Sequence, residues 1–364
     1  MFDSYQLQKH AAELAEFRLR SYAVAEGLMG KPAWQRLEPD LRHARTRLDL
    51  MWDGHELGLK VHQNGGIEFE PIHDFDNAEP AILAMSEALR RTCPHKGIMN
   101  LRFRVGPEGL RGLWIDAPRT GLKELKTTHR AWIKSLLEQG IVIEAGQRGE
   151  EWVLSAEETA SDFAIKSTRP NLRAWLPSYT RQGEAIPILS TIVAFSQPGP
   201  LANQTILRAG HELLDLVSEW PDGFRWGEWG AGSGNLSASF ASRLGAENAW
   251  ISEPDPRAFA ALKQNHEAHF AGARLERSAA IAAPENFYLW ILDPPRSGFS
   301  DLIRSLKSDQ RPQHILIYHC AAAGLASDRA ALLEQGYALR EWIYCDVFPG
   351  SAHCEAVSLW SREG

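Results

Sequence analysis

Three short segments in the C-terminal half of the sequence combine residue types that suit nucleophilic chemistry. Cys320 follows the apolar run 315–318, and Glu355 ends the segment Asp346-Val-Phe-Pro349…His353-Cys-Glu355. A thiolate is a strong nucleophile, and a carboxylate placed beside a reacting carbon can remove a proton. Asp293-Pro-Pro-Arg296 supplies another carboxylate, on a loop that two prolines make rigid. The alternative for Cys320 is a small buried hydrophobic residue, the commoner fate of a free cysteine.

A glycine-rich turn between an apolar strand and a helix predicts a nucleotide-like ligand. The segment 228–235 contains Gly230, Gly232 and Gly234, and glycines let the backbone approach a ligand closely. The NAD fingerprint is Gly-x-Gly-x-x-Gly, whereas Asn235 takes its third place here, so the spacing favours S-adenosylmethionine. Glu253 ends the next predicted strand, where a carboxylate can accept hydrogen bonds from ribose hydroxyls; the alternative is an ordinary exposed acid.

The segments that must position these residues alternate between strand and helix from residue 201 onward. Strands are predicted at 225–229, 249–252, 288–292, 314–318, 339–347 and 353–360, with helices at 201–219, 236–244, 256–269, 301–305 and 325–335. Buried strands that alternate with helices indicate an open, mainly parallel α/β sheet of Rossmann-like type. Ligands of such sheets bind beyond the carboxyl ends of the strands, where the residues named above lie.

The N-terminal half has a mixed α+β pattern. Helices are predicted at 7–29 and 81–91, and strands at 45–52, 57–63, 66–71, 100–105 and 110–115. Pro170, Pro177 and Pro187 mark a boundary between residues 165 and 190. We therefore expect two domains, a mixed α+β domain over residues 1–185 and an α/β domain over residues 186–364.

Composition narrows the class of protein. The chain has 364 residues, 44% of them hydrophobic, and a formal net charge of −7, which allows two packed cores. Its cysteines, Cys93, Cys320, Cys345 and Cys354, lack CxxC spacing, so zinc and iron–sulfur sites are not expected, and no other metal site is predicted. No signal peptide and no apolar run of roughly 18 residues is visible. A cytoplasmic protein with reduced thiols and no membrane partner is expected.

Two basic stretches suggest a nucleic-acid partner despite the acidic total. Residues 100–134 contain eight basic and three acidic residues. Within them Arg119, Lys123, Lys126, Arg130 and Lys134 recur at intervals that gather cations on one face of a helix. Residues 163–183 hold four basic residues and no acid, with Trp175 and Tyr179 between them. Cations beside aromatic rings suit loop or single-stranded RNA; the alternative is a solvated helix face and a basic linker.

Taken in order, these motifs resemble the RNA (uracil-5-)-methyltransferase family, which includes the tRNA enzymes that form ribothymidine in the T-loop. The resemblance is strongest over residues 195–360 and extends more weakly forward to about residue 42. It rests on Phe195-Ser-Gln197 with Asn203, the glycine turn with Asn235, Glu253, Asp293-Pro-Pro-Arg296-x-Gly298, Cys320, and Asp346-x-Phe348-Pro349…His353-x-Glu355.

The resemblance implies a C-terminal class I methyltransferase domain, S-adenosylmethionine as cofactor, RNA as partner of the N-terminal domain, and a monomer. Cys320 would add to carbon 6 of a uracil, and Glu355 would remove the carbon-5 proton after methylation. The target base would have to be flipped out of a folded RNA. The implied cofactor-binding residues are Gln197, Gly230, Gly232, Gly234, Asn235, Glu253 and Asp293.

The sequence departs from the family pattern in two places. The nucleophile lies in His319-Cys-Ala-Ala322 instead of Ser-Cys-Asn-Pro, and Gly199 replaces an asparagine. Chain length, with no visible TRAM domain or cysteine quartet for an iron–sulfur cluster, favours the tRNA-type enzymes. The alternatives are methylation of ribosomal RNA, formation of 5-methylcytidine, whose enzymes carry a second cysteine where this chain has Arg296, and RNA binding without catalysis on the same fold. For His319, assistance in deprotonating the thiol and simple packing both stay open.

Overall fold

A computed structural model describes residues 22–32, 34–37, 44–63, 66–71, 77–116, 121–147, 149–159, 161–278, 286–347 and 355–362. Its strands are Trp34–Leu37 (β1), Arg47–Trp52 (β2), Leu57–Gln63 (β3), Gly66–Pro71 (β4), Met99–Val105 (β5), Arg111–Asp116 (β6), Ile141–Gln147 (β7), Glu150–Glu158 (β8), Phe163–Thr168 (β9), Arg173–Tyr179 (β10), Ala185–Ser190 (β11), Trp226–Trp229 (β12), Ala249–Ser252 (β13), Arg274–Glu276 (β14), Leu289–Leu292 (β15), His314–His319 (β16), Tyr337–Asp346 (β17) and Glu355–Arg362 (β18). The helices are 22–29 (α1), Pro80–Thr92 (α2), Gly121–Lys126 (α3), Arg130–Glu138 (α4), Pro200–Leu214 (α5), Asn235–Leu244 (α6), Pro256–His269 (α7), Ser300–Arg304 (α8) and Ala322–Glu334 (α9).

The chain divides into two compact units. Among the described residues, unit 1 consists of those within 44–176 and 189–200, and unit 2 of those within 22–37, 177–188 and 201–362. The expected domain boundary, between residues 185 and 186, falls at the start of β11, which pairs with β10 as a separate two-stranded sheet. The chain changes unit within both strands of this hairpin, so the segment 189–200 belongs to unit 1.

Unit 1 contains an eight-stranded sheet in the order β4-β3-β2-β5-β6-β7-β8-β9. Its neighbouring strands are antiparallel except for β6 and β7, which are parallel because the crossover through α3 and α4 returns the chain to the same end of the sheet. Apolar side chains of the strands and of α2, α3 and α4 form one core, which includes Leu50, Phe103, Ile115, Ile82 and Ile133. The predicted α+β character is confirmed, although β7, β8 and β9 were not predicted.

Three arginines of β2 and β5 hold the segment 190–198 in unit 1. Arg47, Arg102 and Arg104 each donate to main-chain carbonyl oxygens of this segment. At its end, the amide of Thr46 donates to the carbonyl of Pro198 at 2.9 Å. These bonds give a fixed conformation to a stretch without regular secondary structure, and this stretch contains Gln197.

Unit 2 contains an eight-stranded sheet in the order β1-β17-β18-β16-β15-β12-β13-β14. The block β14-β13-β12-β15-β16 is parallel, and β18 runs antiparallel between β16 and β17. The strand order reverses at β12, which places a crevice at the carboxyl ends of β12 and β15. The predicted mainly parallel, Rossmann-like sheet is confirmed, with β1 and β14 as additional edge strands.

Helices cover both faces of the unit 2 sheet. In β15, Leu289 and Ile291 belong to a core with residues of α5, α6 and α7. Trp290 and Leu292, which alternate with them, belong to a core with residues of α1, α8 and α9. Successive side chains of a strand point to opposite faces, so a strand buried on both faces must be continuously apolar, as the sequence of β15 is.

Candidate active site

The strand ends of unit 2 bring together residues that are far apart in the sequence. Gly230 follows β12, Asp293 follows β15 and Cys320 follows β16, and the three strands are parallel and in register. Glu355 begins β18, which runs antiparallel to β16 with His319 opposite Ala356. The next residues in this register, Cys320 and Glu355, therefore lie at the same edge of the sheet.

Cys320 and Glu355 influence each other electrostatically. Burial raises the pKa of the Cys320 thiol to about 11, the carboxylates of Glu355 and Asp293 add to this effect, and Arg296 opposes it. Burial likewise raises the pKa of Glu355 to about 8, with Asp293 adding and Arg296 opposing. The predicted nucleophile, the predicted base and both charged residues of the Asp293-Pro-Pro-Arg296 loop thus share one environment.

The glycine turn after β12 has the backbone conformation that its sequence predicts. Gly230, Gly232 and Gly234 have φ angles of +79°, +58° and +92°, values that residues with side chains rarely adopt. A Cβ on Gly230 would stand 2.8 Å from the carbonyl oxygen of Asp293, so the turn and the Asp293 loop touch through main chain. A Cβ on Gly232 would meet nothing within 4 Å, which leaves space for a ligand on that side of the turn.

Glu253 fixes this turn from the end of the neighbouring strand. Its Oε2 accepts the amide of Gly232 and its Oε1 accepts the amide of Asp255, each at 2.7 Å. The side chain is 7% exposed, so it is not an ordinary surface acid. Each carboxylate oxygen can accept a further hydrogen bond, and the predicted contact with a ribose stays a prediction.

Asn235 has a structural partner in addition to its predicted role. Its side-chain amide exchanges two hydrogen bonds of 2.8 Å with that of Asn203, which also donates to the carbonyl of Pro177 at 2.7 Å. The hydroxyl of Ser178 donates to the Asn235 carbonyl at 2.6 Å. Asn235 therefore ties the first turn of α6 to α5 and β10, while cofactor binding by this residue stays a prediction.

Glu228, inside the buried strand β12, was not predicted as a functional residue. It is 0% exposed, and its Oε2 accepts the hydroxyl of Ser237 at 2.5 Å. Within the described residues, its Oε1 has no hydrogen-bond partner. Burial raises the pKa of Glu228 to about 8, and the nearby carboxylates of Asp293 and Glu253 add to it. The available signal was an acid in the middle of an apolar strand.

The buried acids of this edge fit a cationic ligand. Burial and the carboxylate of Glu253 raise the pKa of Asp293 to about 7, and Glu228, Asp293 and Glu355 are all shifted in the same direction. A nearby positive charge stabilises ionised carboxylates and reverses such shifts. S-adenosylmethionine carries a sulfonium and an ammonium group, so the acidic side chains of Glu228, Glu253 and Asp293 suit its charge.

The altered segment around the nucleophile has a structural explanation. Nε2 of His319 lies 3.0 Å from Oδ2 of Asp328 in α9, and Asp328 also accepts the amide of Phe299 at 2.8 Å. A Cβ on Gly298 would stand 2.5 Å from Oδ1 of Asp328, so glycine is required for this approach. His319 thus packs with Asp328 and links the end of β16 to the loop that follows Asp293.

Gln197 and Gly199 both lie in unit 1. Gln197 is 9% exposed, and its predicted position between cofactor and base stays a prediction. A Cβ on Gly199 would stand 2.0 Å from the carbonyl oxygen of Ala44. Any side chain would collide with main chain there, which explains why this protein has glycine in place of the family's asparagine.

The basic stretches are less available to RNA than their sequence suggested. The predicted five-cation helix face is wrong in one respect, because residues 121–138 form two helices, α3 and α4, separated at Thr127–His129. Arg104 and Trp175 are 2% and 1% exposed, so they belong to the core. Several of the other cations are paired with acids: Arg130 with Asp162, Lys134 with Glu158, Lys166 with Glu157, Arg169 with Glu150 and Arg181 with Asp215.

Some predicted features lie outside the described residues. They are the first part of the helix expected over 7–29, Arg119, and Phe348, Pro349, His353 and Cys354 of the last motif. None of the helices in the described ranges combines the length and the apolar character that crossing a bilayer requires.

The chain is similar in sequence to proteins named as RNA methyltransferases. No family profile matches the chain. An uncharacterized RNA methyltransferase of Bdellovibrio bacteriovorus is 29% identical over 362 aligned positions, covering 94% of this chain and 87% of that protein. The 23S rRNA (uracil(1939)-C(5))-methyltransferase RlmD of Vibrio campbellii is 31% identical over 195 positions, covering 51% of this chain and 42% of that enzyme. The chain thus spans most of the first relative and less than half of the second.

A solved structure shares the fold over nearly the whole chain. The tRNA (uracil-54, C5)-methyltransferase of Pyrococcus abyssi, determined in complex with S-adenosyl-L-homocysteine, has a TM-score of 0.64 and 16% identity, covering 96% of this chain and 83% of that one. This likeness confirms the predicted methyltransferase fold. Considered with the two sequence relatives and the motifs at the strand ends, it supports the resemblance of the chain to the RNA (uracil-5-)-methyltransferase family of S-adenosylmethionine-dependent enzymes.

Proposed function

We propose that this protein transfers a methyl group from S-adenosylmethionine to carbon 5 of a uridine in RNA through a covalent cysteine adduct. The observation that carries the proposal is the register of β16 and β18, which sets Cys320 and Glu355 at one edge of the sheet. Asp293 and the glycine turn at Gly230 lie at the same edge. Binding alone would need neither a nucleophile nor a base, whereas uracil carbon 5 is too weak a nucleophile to accept a methyl group unaided.

Two residues of the chain account for the bonds that form and break. The Cys320 thiolate adds to carbon 6 of the uracil, and the displaced electron pair makes carbon 5 an enolate carbon. S-adenosylmethionine supplies the electrophilic methyl group and leaves as a neutral thioether. Glu355 removes the proton from carbon 5, the pair of that bond restores the ring double bond, and the sulfur of Cys320 departs as thiolate.

The electrostatics of the site link cofactor binding to thiol ionisation. In the protein alone, burial and the carboxylates of Glu355 and Asp293 raise the pKa of Cys320 to about 11. A cationic ligand beside Asp293 opposes these negative charges, as Arg296 already does. We therefore expect Cys320 to ionise more readily once the cofactor is bound.

The class of RNA rests on relatives that differ in substrate. The Vibrio campbellii relative is named for 23S rRNA, and the Pyrococcus abyssi structure for tRNA. We extend the proposal to a uridine in either RNA, with tRNA as the first substrate to assay. A cytoplasmic location and a monomeric state stay predictions.

The test combines a product assay with detection of the adduct. Unmodified total RNA is incubated with S-adenosylmethionine carrying a labelled methyl group, separated by size, digested and analysed for labelled nucleosides. We expect 5-methyluridine with the wild type and a loss of at least about a thousandfold with Cys320→Ala. Glu355→Gln blocks proton removal, so a methylated protein–RNA adduct that survives denaturing electrophoresis should accumulate in that variant.

Cys93→Ala is the matched control, because burial also raises the pKa of the Cys93 thiol to about 11 although this residue lies in unit 1. It should retain the wild-type rate. Undiminished 5-methyluridine formation by Cys320→Ala would refute the thiolate mechanism. A label found in 5-methylcytidine would show that the target base is cytosine and not uracil. Cofactor binding without label in any RNA would favour a role in RNA binding without catalysis.

A further inference from the structure

A second cluster of polar side chains lies in unit 1. It consists of His95, in the segment after α2, Glu124 in α3, and His129 immediately before α4. One ring nitrogen of each histidine and one carboxylate oxygen of Glu124 all lie within 4.8 Å of one another. We propose that these three side chains bind a zinc ion.

The distances within the cluster suit tetrahedral coordination. Nδ1 of His95 lies 3.3 Å from Nε2 of His129, and that Nε2 lies 3.4 Å from Oε1 of Glu124. Zinc bonds of about 2.0–2.1 Å at tetrahedral angles set neighbouring ligand atoms about 3.3–3.4 Å apart. The remaining distance, between Nδ1 of His95 and the carboxylate of Glu124, can shorten by rotation of the Glu124 side chain, which is 42% exposed and has room to move.

The three ligand atoms converge on one point. Nε2 of His129 faces both Nδ1 of His95 and the carboxylate of Glu124. An imidazole nitrogen without a hydrogen offers a lone pair, as a carboxylate oxygen does, so an ion at this point would accept a lone pair from each of the three atoms.

The surrounding residues hold the two rings in this orientation. His95 and His129 are 5% and 7% exposed, and the carbonyl of His95 accepts Nε1 of Trp52 at 2.8 Å. A Cβ on Gly97 would stand 2.7 Å from Nε2 of His95, so this ring nitrogen lies against main chain and Nδ1 is the one that faces His129.

The ligand types select zinc among the common divalent ions. Calcium and magnesium prefer oxygen ligands, whereas two imidazoles and a carboxylate suit zinc, with water in the fourth position. The ion would join the segment after α2 to both helices of the crossover between β6 and β7, and so stabilise unit 1. The expectation that zinc sites are absent rested on cysteine spacing, which gives no signal for a site built from histidines.

Zinc binding can be measured directly on the untagged full chain. The protein is stripped with a chelator, dialysed, and titrated with Zn²⁺ in competition with a chromophoric chelator, and bound metal is counted by mass spectrometry. We expect one equivalent of zinc per chain and an affinity at least about a hundredfold lower in His129→Gln, more than the loss of an outer-shell residue causes. The absorption spectrum of bound Co²⁺ should show tetrahedral coordination.

Two further variants distinguish a specific loss of zinc binding from misfolding. Glu124→Gln changes a half-exposed side chain, keeps the fold and should still weaken zinc binding measurably. His55→Ala removes an exposed histidine of the same unit and should bind zinc like the wild type. Zinc should also raise the unfolding midpoint of the wild type and not that of His129→Gln. Failure of the wild type to retain zinc, or unchanged affinity in Glu124→Gln, would overturn the proposal.

Discussion

Two buried acids, one in each unit, have different surroundings. Glu144 of unit 1 and Glu228 of unit 2 are both 0% exposed. Burial raises the pKa of Glu144 to about 7 and the carboxylate of Glu151 adds to the rise, whereas the amide of Ile192, which Glu144 accepts at 2.8 Å, and the guanidinium of Arg104 oppose it. Glu228 accepts the hydroxyl of Ser237, and the charged side chains that shift its pKa are the acids Asp293 and Glu253, which raise it further to about 8.

The two acids therefore differ in which groups compensate their buried charge. A buried carboxylate with a cation and a main-chain donor is compensated within the protein. A group of buried carboxyls at the open end of a sheet is compensated by a proton or by a cation from outside. We therefore interpret Glu144 as part of the architecture of unit 1 and propose that Glu228 contributes to the electrostatics of the cofactor site.

Replacing the buried Arg104 of unit 1 should have the largest effect on stability. Arg104 donates to the carbonyl of Thr191 at 2.9 Å and lies over the ring of Trp175. Arg104→Leu leaves Glu144 buried without it and should lower the free energy of unfolding by about 3–5 kcal/mol in urea denaturation. Arg130→Ala, which breaks the half-exposed pair with Asp162, should cost much less, because solvent screens such a pair. Equal losses in both variants would contradict the distinction.

Neutralising Glu228 should make stability less dependent on pH. Because its pKa is raised to about 8 in the folded state from an unfolded value near 4.3, the wild type loses stability as pH rises between these values. Glu228→Gln lacks this loss, so its free energy of unfolding relative to wild type should increase by on the order of 1 kcal/mol per pH unit from pH 5 to 8. Thermal unfolding across this range, with and without S-adenosylmethionine, measures the effect.

Bound S-adenosylmethionine should reduce the difference in free energy of unfolding between wild type and Glu228→Gln, because a bound cation stabilises the ionised carboxylate. Glu228→Gln should therefore also bind S-adenosylmethionine more weakly, as measured by calorimetry. A stability difference that does not change with pH would show that Glu228 does not ionise in this range.

The link between His319 and Asp328 should matter for both stability and rate. His319→Ala removes a buried hydrogen bond of 3.0 Å and should cost about 1–3 kcal/mol, because the carboxylate of Asp328 loses a donor. We also expect a kcat about tenfold lower, since the end of β16 carries Cys320, with little change in cofactor affinity. His319→Gln, which can still donate, should recover part of both losses. An unchanged kcat in His319→Ala would limit the pair to stability.

The pH dependence of the rate should report the ionisation of the proposed base. Glu355, whose burial and proximity to Asp293 raise its pKa to about 8, must be ionised to accept a proton. The value of kcat/KM should therefore rise with pH between 6 and 8, by at most about tenfold per unit. The rise of kcat, measured with cofactor bound, should occur at lower pH because a cation lowers the pKa of a neighbouring carboxyl. Flat profiles for both would exclude Glu355 as the base.

The candidate reactive residues are easier to predict from the sequence than their surroundings. Cys320, Asp293 and the glycine turn are candidates because each follows an apolar strand, and a strand buried on both faces leaves a strong pattern. Glu228 was missed because one acid among tryptophans carries no signal until its neighbours are known. The two basic stretches were over-interpreted for the same reason, since a linear count of cations does not reveal that Arg104 is buried or that Lys134 lies 2.8 Å from Glu158.

The sequence by itself determined the strand–helix alternation of unit 2, the order of its motifs and the residue types of the proposed reaction. These are local properties, set by apolar periodicity, glycine conformation and side-chain chemistry. Only the tertiary structure decided that β18 runs antiparallel beside β16, so that Glu355 and Cys320 share one edge. It also decided which buried acids have a compensating cation, and it brought His95 to Glu124 and His129. Such pairings depend on chain segments far apart in sequence, whose contact is fixed by packing and by sheet register rather than by any one segment.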